Sequence, residues 1–149
     1  MATTAIPARH TRSLFADRVA MIVEQTLPLL AAKGIDLDVY YVANAELFDL
    51  LSPVEQDAIF PESAAMQAMG LTGFTLPTMY QWIRSDLGRS MTLHPFSHGR
   101  YPGSGPGARV MAEAGLDGDG QMAAIIRYVR ARSRPWYRGD YSAFSRCTR

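Results

Sequence analysis

Ile35-Asp36-Leu37-Asp38-Val39-Tyr40-Tyr41-Val42-Ala43 decides how the rest of the chain is read. Ile35, Leu37, Val39 and Tyr41 alternate onto one face, with Asp36 and Asp38 opposite; Tyr40 and Val42 make the second half apolar on both faces. Such a run fits a parallel strand entering a sheet that is covered on both sides. Helical signals lie either side of it. Upstream, Asp17 is an N-cap for a helix over 18–33, with Val19, Ile22, Val23, Leu27 and Leu30 along one side. Pro28 predicts a kink in that helix, and Gly34 closes it at C′. Downstream, Ser52-Pro53-Val54-Glu55 has Ser at the N-cap, Pro at N1 and Glu at N3 of another helix.

Farther along, 64–69 fits helix or strand equally on periodicity. Pro77 opens a helix through Tyr80, Trp82 and Ile83 that ends near Gly88, and 90–96 is the next strand candidate. Before it all, 11–16 reads as a short strand. A glycine-rich turn, 99–107, leads into a short helix ending at Gly115. Asp117 or Asp119 then caps a last helix over 121–132, striped by Met122, Ile125, Ile126 and Val129. Helices and strands alternate with short connections and no internal repeat. The expectation is an α/β three-layer sandwich with a small, mostly parallel sheet. It divides into a leader (1–13), the α/β domain (14–132) and a C-terminal arm (133–149).

Composition narrows the class. The 149 residues suit one domain, and 48% hydrophobic against 19% charged residues is a globular balance. The longest apolar stretches are interrupted by Glu24, Gln25 and Pro28 and fall short of the roughly 20 residues of a membrane span. The first 12 residues lack the apolar core of a secretory signal. A lone Cys147 excludes an internal disulfide framework, and the cytoplasm is the expected compartment. The net charge of +1 conceals an asymmetry: Arg127, Arg130, Arg132, Arg134, Arg138, Arg146 and Arg149 crowd the end against Asp140 alone. Arg134, Trp136, Tyr137, Arg138, Tyr141 and Phe144 are the candidate interface residues of the arm. Arginines and aromatic rings are the usual anchors of protein interfaces, so protein docking is preferred there to nucleic acid.

Few residues suggest catalysis. Gly103, Ser104, Gly105 and Gly107, with Arg100 and Arg109 nearby, could cradle an anion at a helix N-terminus. The same glycines equally make a tight turn. No Lys-Ser/Thr follows the last glycine, so this is no Walker A loop, and the spacing is not that of a dinucleotide fingerprint. His94 and His98 flank Pro95, which opposes the helix that would bring them onto one metal; no metal set is expected. No Gly-x-Ser-x-Gly elbow occurs, and Asp117-Gly118-Asp119-Gly120 lacks the distal glutamate of a calcium loop.

Taken in order, several segments resemble the C-terminal domain of transketolase and related thiamine-diphosphate enzymes. They are Ala31-Ala32-Lys33-Gly34-Ile35, Val39-Tyr40-Tyr41-Val42, Glu46-Leu47-Phe48-Asp49, Ile59-Phe60-Pro61, then Phe96 through Gly105-Pro106, and Glu113-Ala114-Gly115-Leu116-Asp117 with the closing helix. The likeness spans about 14–129. It departs at 69–82, which is longer than the family segment, at 12–16, which replaces the first family strand, and at 98–101, which expands the glycine turn. The resemblance implies an α/β fold and a subunit or fragment of a transketolase-like, ketol-transferring transferase. Thiamine diphosphate and Mg would then sit on partner chains in a homo- or hetero-oligomer. It assigns no catalytic residue and no cofactor-binding residue to this chain.

The function expected from sequence is therefore a non-catalytic C-terminal component of a split transketolase-like enzyme, inactive alone. The alternative is a stand-alone module that binds a small anion through the glycine turn, or RNA or protein through the arm.

Overall fold

A proline sets the geometry of the first helical segment. Pro28 has no N–H to bond Glu24, and the ladder widens just before it: Ile22–Thr26 is π-helical, with the Leu27 N–H reaching the Ile22 carbonyl. The segment continues as α1 (Leu27–Ala31). In the computed structural model, which describes residues 2–3, 20–97, 99 and 102–134, this is the expected interruption at Pro28. Gly34 ends the helix at φ 70°. The Ile35 N–H bonds the Leu30 carbonyl at 3.0 Å and the Gly34 N–H bonds that of Ala31 at 2.9 Å, which is a Schellman closure.

The α/β sandwich is overturned at the next step. Of the stretch 35–43, only Leu37–Asp38 is a strand (β2), paired in parallel with Ala2–Thr3 (β1). Apart from this two-residue pair, the described residues contain one isolated parallel bridge, Leu71 to Leu93. The alternation was read correctly, since Ile35, Leu37 and Val39 are half-buried while Asp36 and Asp38 are exposed. What fails is the inference that residues apolar on both sides must be flanked by strands. Here helices cover them.

Those helices are short and mostly capped. α2 (Ala45–Asp49) begins at Asn44, whose side chain accepts the Leu47 N–H at 2.9 Å. α3 (Pro53–Ile59) carries the expected capping box: the Glu55 N–H donates to the Ser52 hydroxyl, and the Ser52 N–H donates back to the Glu55 carboxylate at 2.9 Å. Segment 64–69, open between helix and strand, falls largely in α4 (Glu62–Gln67). The helix expected from Pro77 to Gly88 is two elements, a 3-10 turn at Leu76–Met79 and α5 (Asp86–Met91), N-capped by Ser85. Gly88 is inside α5 because the chain packs there: a Cβ would lie 2.1 Å from the Ala68 carbonyl oxygen. The strand expected over 90–96 is reduced to its bridge residue, Leu93.

α6 (Gly107–Glu113) and α7 (Gly118–Arg132) complete the described chain. Asp117 is the cap, accepting the Gly120 N–H at 2.9 Å. The buried face of α7 is rotated from the expected stripe. Ile125 is buried as expected, but its buried neighbours are Gln121, Ala124 and Tyr128, while Met122, Ile126 and Val129 pack only partly against the core. Leu30, Met69, Leu87, Leu93, Leu116, Ile125 and Tyr128 form the main core. Its polar members are satisfied. The Thr26 hydroxyl donates to Gln121 Oε1, Gln121 Nε2 donates to the Leu116 carbonyl, and the Tyr128 hydroxyl donates to that of Gln67. The leader apart from β1, the strand at 11–16, the Asp17 cap and the arm beyond Arg134 lie outside the described residues.

Candidate functional site

A second apolar cluster stands beside the core. Ala68, Trp82 and Ile83 are its buried members, with Val42, Ala45, Phe48, Phe60 and Met79 packed around them. Each aromatic ring comes from a different element. Phe48 lies in the single turn of α2, Phe60 at the C-cap of α3, and Trp82 in the turn before α5. The rings meet edge to face: Phe48 to Trp82 at 4.9 Å, Phe60 to Trp82 at 5.8 Å, and Tyr40 to Phe60 at 5.0 Å between centroids.

Above these rings opens a cavity of about 250 Å³, lined by Tyr40, Tyr41, Val42, Ala43, Asn44, Leu47, Phe48, Ile59, Phe60 and Trp82. Its lining is overwhelmingly apolar. A second cavity of about 180 Å³ shares Phe48, Phe60 and Trp82 and continues into polar ground at Gln56, Asp57, Glu62, Gln81 and Arg84. The two share these three rings, and we refer to the pair as the groove, with an apolar end in the first cavity and a polar end in the second. Polar clamps fix its walls. Gln56 Nε2 donates to the Phe48 and Leu51 carbonyls at 3.1 and 3.2 Å, binding α2 to α3, and Gln81 Nε2 donates to Asp49. The Arg84 N–H donates to the Ala65 carbonyl at 3.0 Å, fastening the Trp82 turn to α4.

Leu47 and Ile59 of the lining, and Leu50 and Val54 close to them in sequence, are apolar side chains left exposed by folding. Leu47 is 62% exposed, Leu50 82% and Val54 79%, with Ile59 half-exposed. The surroundings are acidic. Between Gly34 and Ile83 there is no Lys, Arg or His, against seven carboxylates (Asp36, Asp38, Glu46, Asp49, Glu55, Asp57 and Glu62), all exposed. The Ser52 hydroxyl, and secondarily the Ser52 N–H, hold the Glu55 carboxyl below the ordinary glutamate value. Arg84 is the cation at the groove, 4.0 Å from Glu62, and both side chains are more than half exposed.

The residues expected to bind an anion lie elsewhere. Gly103, Ser104, Gly105, Gly107 and Arg109 are exposed in and just after the turn that enters α6. The Gly103 N–H donates to the chain's own Glu113 carboxylate at 3.3 Å. Arg100 lies outside the described residues, as do Trp136, Tyr137, Arg138, Tyr141 and Phe144 of the arm; Arg134 is exposed just past α7. His94 is half-buried with Nδ1 enclosed and unpartnered, and desolvation lowers its pKa. Among the described residues no three His, Cys, Asp or Glu side chains come together to hold a metal, and no helix is long and apolar enough to cross a membrane.

Sequence reasoning did not single out the groove, because its rings are scattered over 40–82. Two signals were available. The short α2 and α3 and the link between them hold more large apolar residues (Leu47, Phe48, Leu50, Leu51, Val54, Ile59) than helices of five and seven residues can bury. The same stretch is charged with one sign only. Comparison of the chain with family models, curated proteins and solved structures gives no match.

Proposed function

We propose that this chain is a docking component of a protein assembly and that the aromatic groove is its recognition surface. The observation that carries this is the pairing of a preformed apolar cavity, walled by Phe48, Phe60 and Trp82, with the exposed Leu47 and Ile59 of its lining, near in sequence to the exposed Leu50 and Val54. Exposed apolar residues gathered around a pocket mark an interaction surface. A cavity of about 250 Å³ accepts one or two large apolar side chains, the anchors on which interface energy concentrates. The acidic surround favours a partner segment that is basic next to its anchors.

The order of segments from Ala31 to Leu116 points to the assembly to test first, a transketolase-like, thiamine-diphosphate-dependent enzyme. This chain would act as its non-catalytic component, with cofactor and Mg on the partner chains. That reading rests on the order of motifs alone, since the α/β fold that the resemblance implies is not the one found.

Sedimentation tests it. Mixed with a separately produced chain from the same genome that carries a Gly-Asp-Gly…Asn thiamine-diphosphate motif, this protein should co-sediment. Leu47→Asp and Ile59→Asp should each weaken the complex at least about tenfold by burying an unpaired charge in the interface. Co-sedimentation unaffected by both changes overturns the groove as the docking surface. Absence of a complex removes the transketolase-like partner.

A further inference from the structure

We infer that the apolar end of the groove is a cage for a quaternary ammonium group, the trimethylated lysine of a basic segment on the docking partner. The inference rests on the groove reading above and names the anchor that enters it.

The walls are the first argument. Of the residues around the cavity of about 250 Å³, Tyr40, Tyr41, Phe48, Phe60 and Trp82 are aromatic. Tyr40 stands at 79° to Phe60, and Phe48 and Phe60 stand at 61° and 65° to Trp82. Rings set so steeply to one another wall a space from several sides at once. The negative faces of aromatic rings attract a cation, most strongly where water is excluded. A pocket for a drug-sized molecule takes roughly 300–1,000 Å³, so this one holds a headgroup rather than a whole cofactor.

Hydrogen bonding is the second, and it selects the kind of cation. Beside the two tyrosine hydroxyls, the remaining polar side chain of the lining is Asn44, whose Oδ1 already accepts the Leu47 N–H at 2.9 Å. An unmodified lysine or an arginine would bring N–H donors into a space with few acceptors, and unpaired donors are costly to bury. A trimethylammonium carries no donor. It keeps the charge and meets the rings with methyl groups.

Charge is the third. Among the described residues, no charged side chain lines the apolar end. Glu46 and Asp49, both exposed, bracket Leu47 and Phe48 of its wall. The polar end holds Asp57, Glu62 and Arg84, with Arg84 at 4.0 Å from Glu62. That guanidinium offsets one of the two carboxylates, so the polar end keeps one negative charge. Both ends favour a cationic anchor over a neutral one, and basic neighbours of the anchor would meet carboxylates. The surface also extends past the cage: Leu47 is 62% exposed, and Phe48, Phe60 and Trp82 lead on to the polar end. A chain contacts all of this, whereas a free small molecule fills only the cage.

Fluorescence anisotropy of labelled peptides on the full-length protein reads the anchor. A short Arg-Ala peptide carries a central lysine that is unmodified, trimethylated, or given a neutral tert-butyl group in place of the trimethylammonium. The trimethylated form should bind at least about tenfold more tightly than either of the others. Phe48→Leu keeps the wall apolar and removes a ring; with far-UV circular dichroism unchanged, it should remove most of that advantage. Tyr40→Leu, at a half-buried position, gives the same reading if Phe48→Leu does not fold. Equal binding of the trimethyl and tert-butyl peptides overturns the inference, as does an advantage that survives these ring replacements in folded protein. Free choline bound as tightly as the trimethylated peptide overturns the partner segment as the source. If no peptide binds, the inference falls, and sedimentation of the Leu47→Asp and Ile59→Asp proteins still decides the groove as a docking surface. A tenfold preference without a sedimentation complex removes the transketolase-like partner and keeps the cage.

Discussion

The two apolar clusters of this molecule are built from similar residues and differ in what surrounds them. Around α7, apolar side chains close over one another, and every polar group drawn in has a partner: Thr26 with Gln121, Gln121 with Leu116, Tyr128 with Gln67. Around Trp82, comparable apolar mass is left half-covered, with Leu47 and Ile59 exposed in the cavity lining and carboxylates of one sign in the same stretch of chain. Burial in the first cluster is finished by folding. In the second it is left for something else to finish, and that difference separates a stabilising core from a recognition surface.

The widest expected gap between them is a pair of truncations. Leu30 is fully buried in the α7 core, so Leu30→Ala should cost about 2–5 kcal/mol through lost transfer energy and the cavity left behind. Leu50 is 82% exposed, so Leu50→Ala should stay within about 0.5 kcal/mol of wild type. Urea unfolding followed by circular dichroism measures both. A cost of 2 kcal/mol at Leu50 would show that this exposed segment is core, and the contrast would collapse.

A smaller effect sharpens the polar side of the comparison. Tyr128→Phe removes one hydrogen bond to the Gln67 carbonyl without emptying the core. Arg132 Nη1 still donates to that oxygen at 3.1 Å, so the acceptor is not orphaned. The expected loss is therefore about 1 kcal/mol, the net worth of one hydrogen bond. Burial raises the Tyr128 hydroxyl pKa, against the opposing pull of Arg132, so the phenol donates throughout the neutral range. Combining Tyr128→Phe with Arg132→Gln should cost more than the sum of the two single changes, because together they leave the carbonyl unpaired. Strict additivity would mean that water reaches Gln67.

Local signals were legible in the sequence where one residue's chemistry decides them. Ser52 and Glu55 announce their capping box, Gly34 its left-handed closure and Pro28 its break in the ladder, while the cap of α7 was narrowed to Asp117 or Asp119 and is Asp117. Each depends on groups a few residues apart. The sheet was misjudged because Val39–Val42, apolar on both sides, satisfies two surroundings equally well, strands or helices, and local pattern does not choose between them. α7 shows the same limit. Its apolar stripe pointed to Met122 and Val129, but tertiary hydrogen bonds turned Gln121 and Tyr128 inward, and a polar residue's partner 61 positions away leaves no local mark. The groove was invisible for that reason: Tyr40, Phe48, Phe60 and Trp82 become one site only after three turns fold together.

The smallest expected effect lies at His94, beyond the α5 end of the core. Its Nδ1 is enclosed without a hydrogen-bond partner, and desolvation holds the ring's pKa below the ordinary histidine value of about 6.5. The folded protein therefore binds a proton at this ring less readily than the unfolded chain does. Above about pH 6.5 neither state is protonated and the ring adds no pH dependence. As pH falls below that value the unfolded chain takes up the proton first, so stability declines until pH passes the lowered folded pKa and then levels. His94→Gln removes the titration. The difference in unfolding free energy between wild type and variant should hold steady from pH 8 to 7 and shift against wild type between pH 6.5 and 5. His10 and His98 are retained in both proteins, so a contribution of theirs that is independent of His94 cancels in the difference. A difference that stays level through that window, or moves the other way, would mean that His94 Nδ1 has a partner that stabilises its charged form.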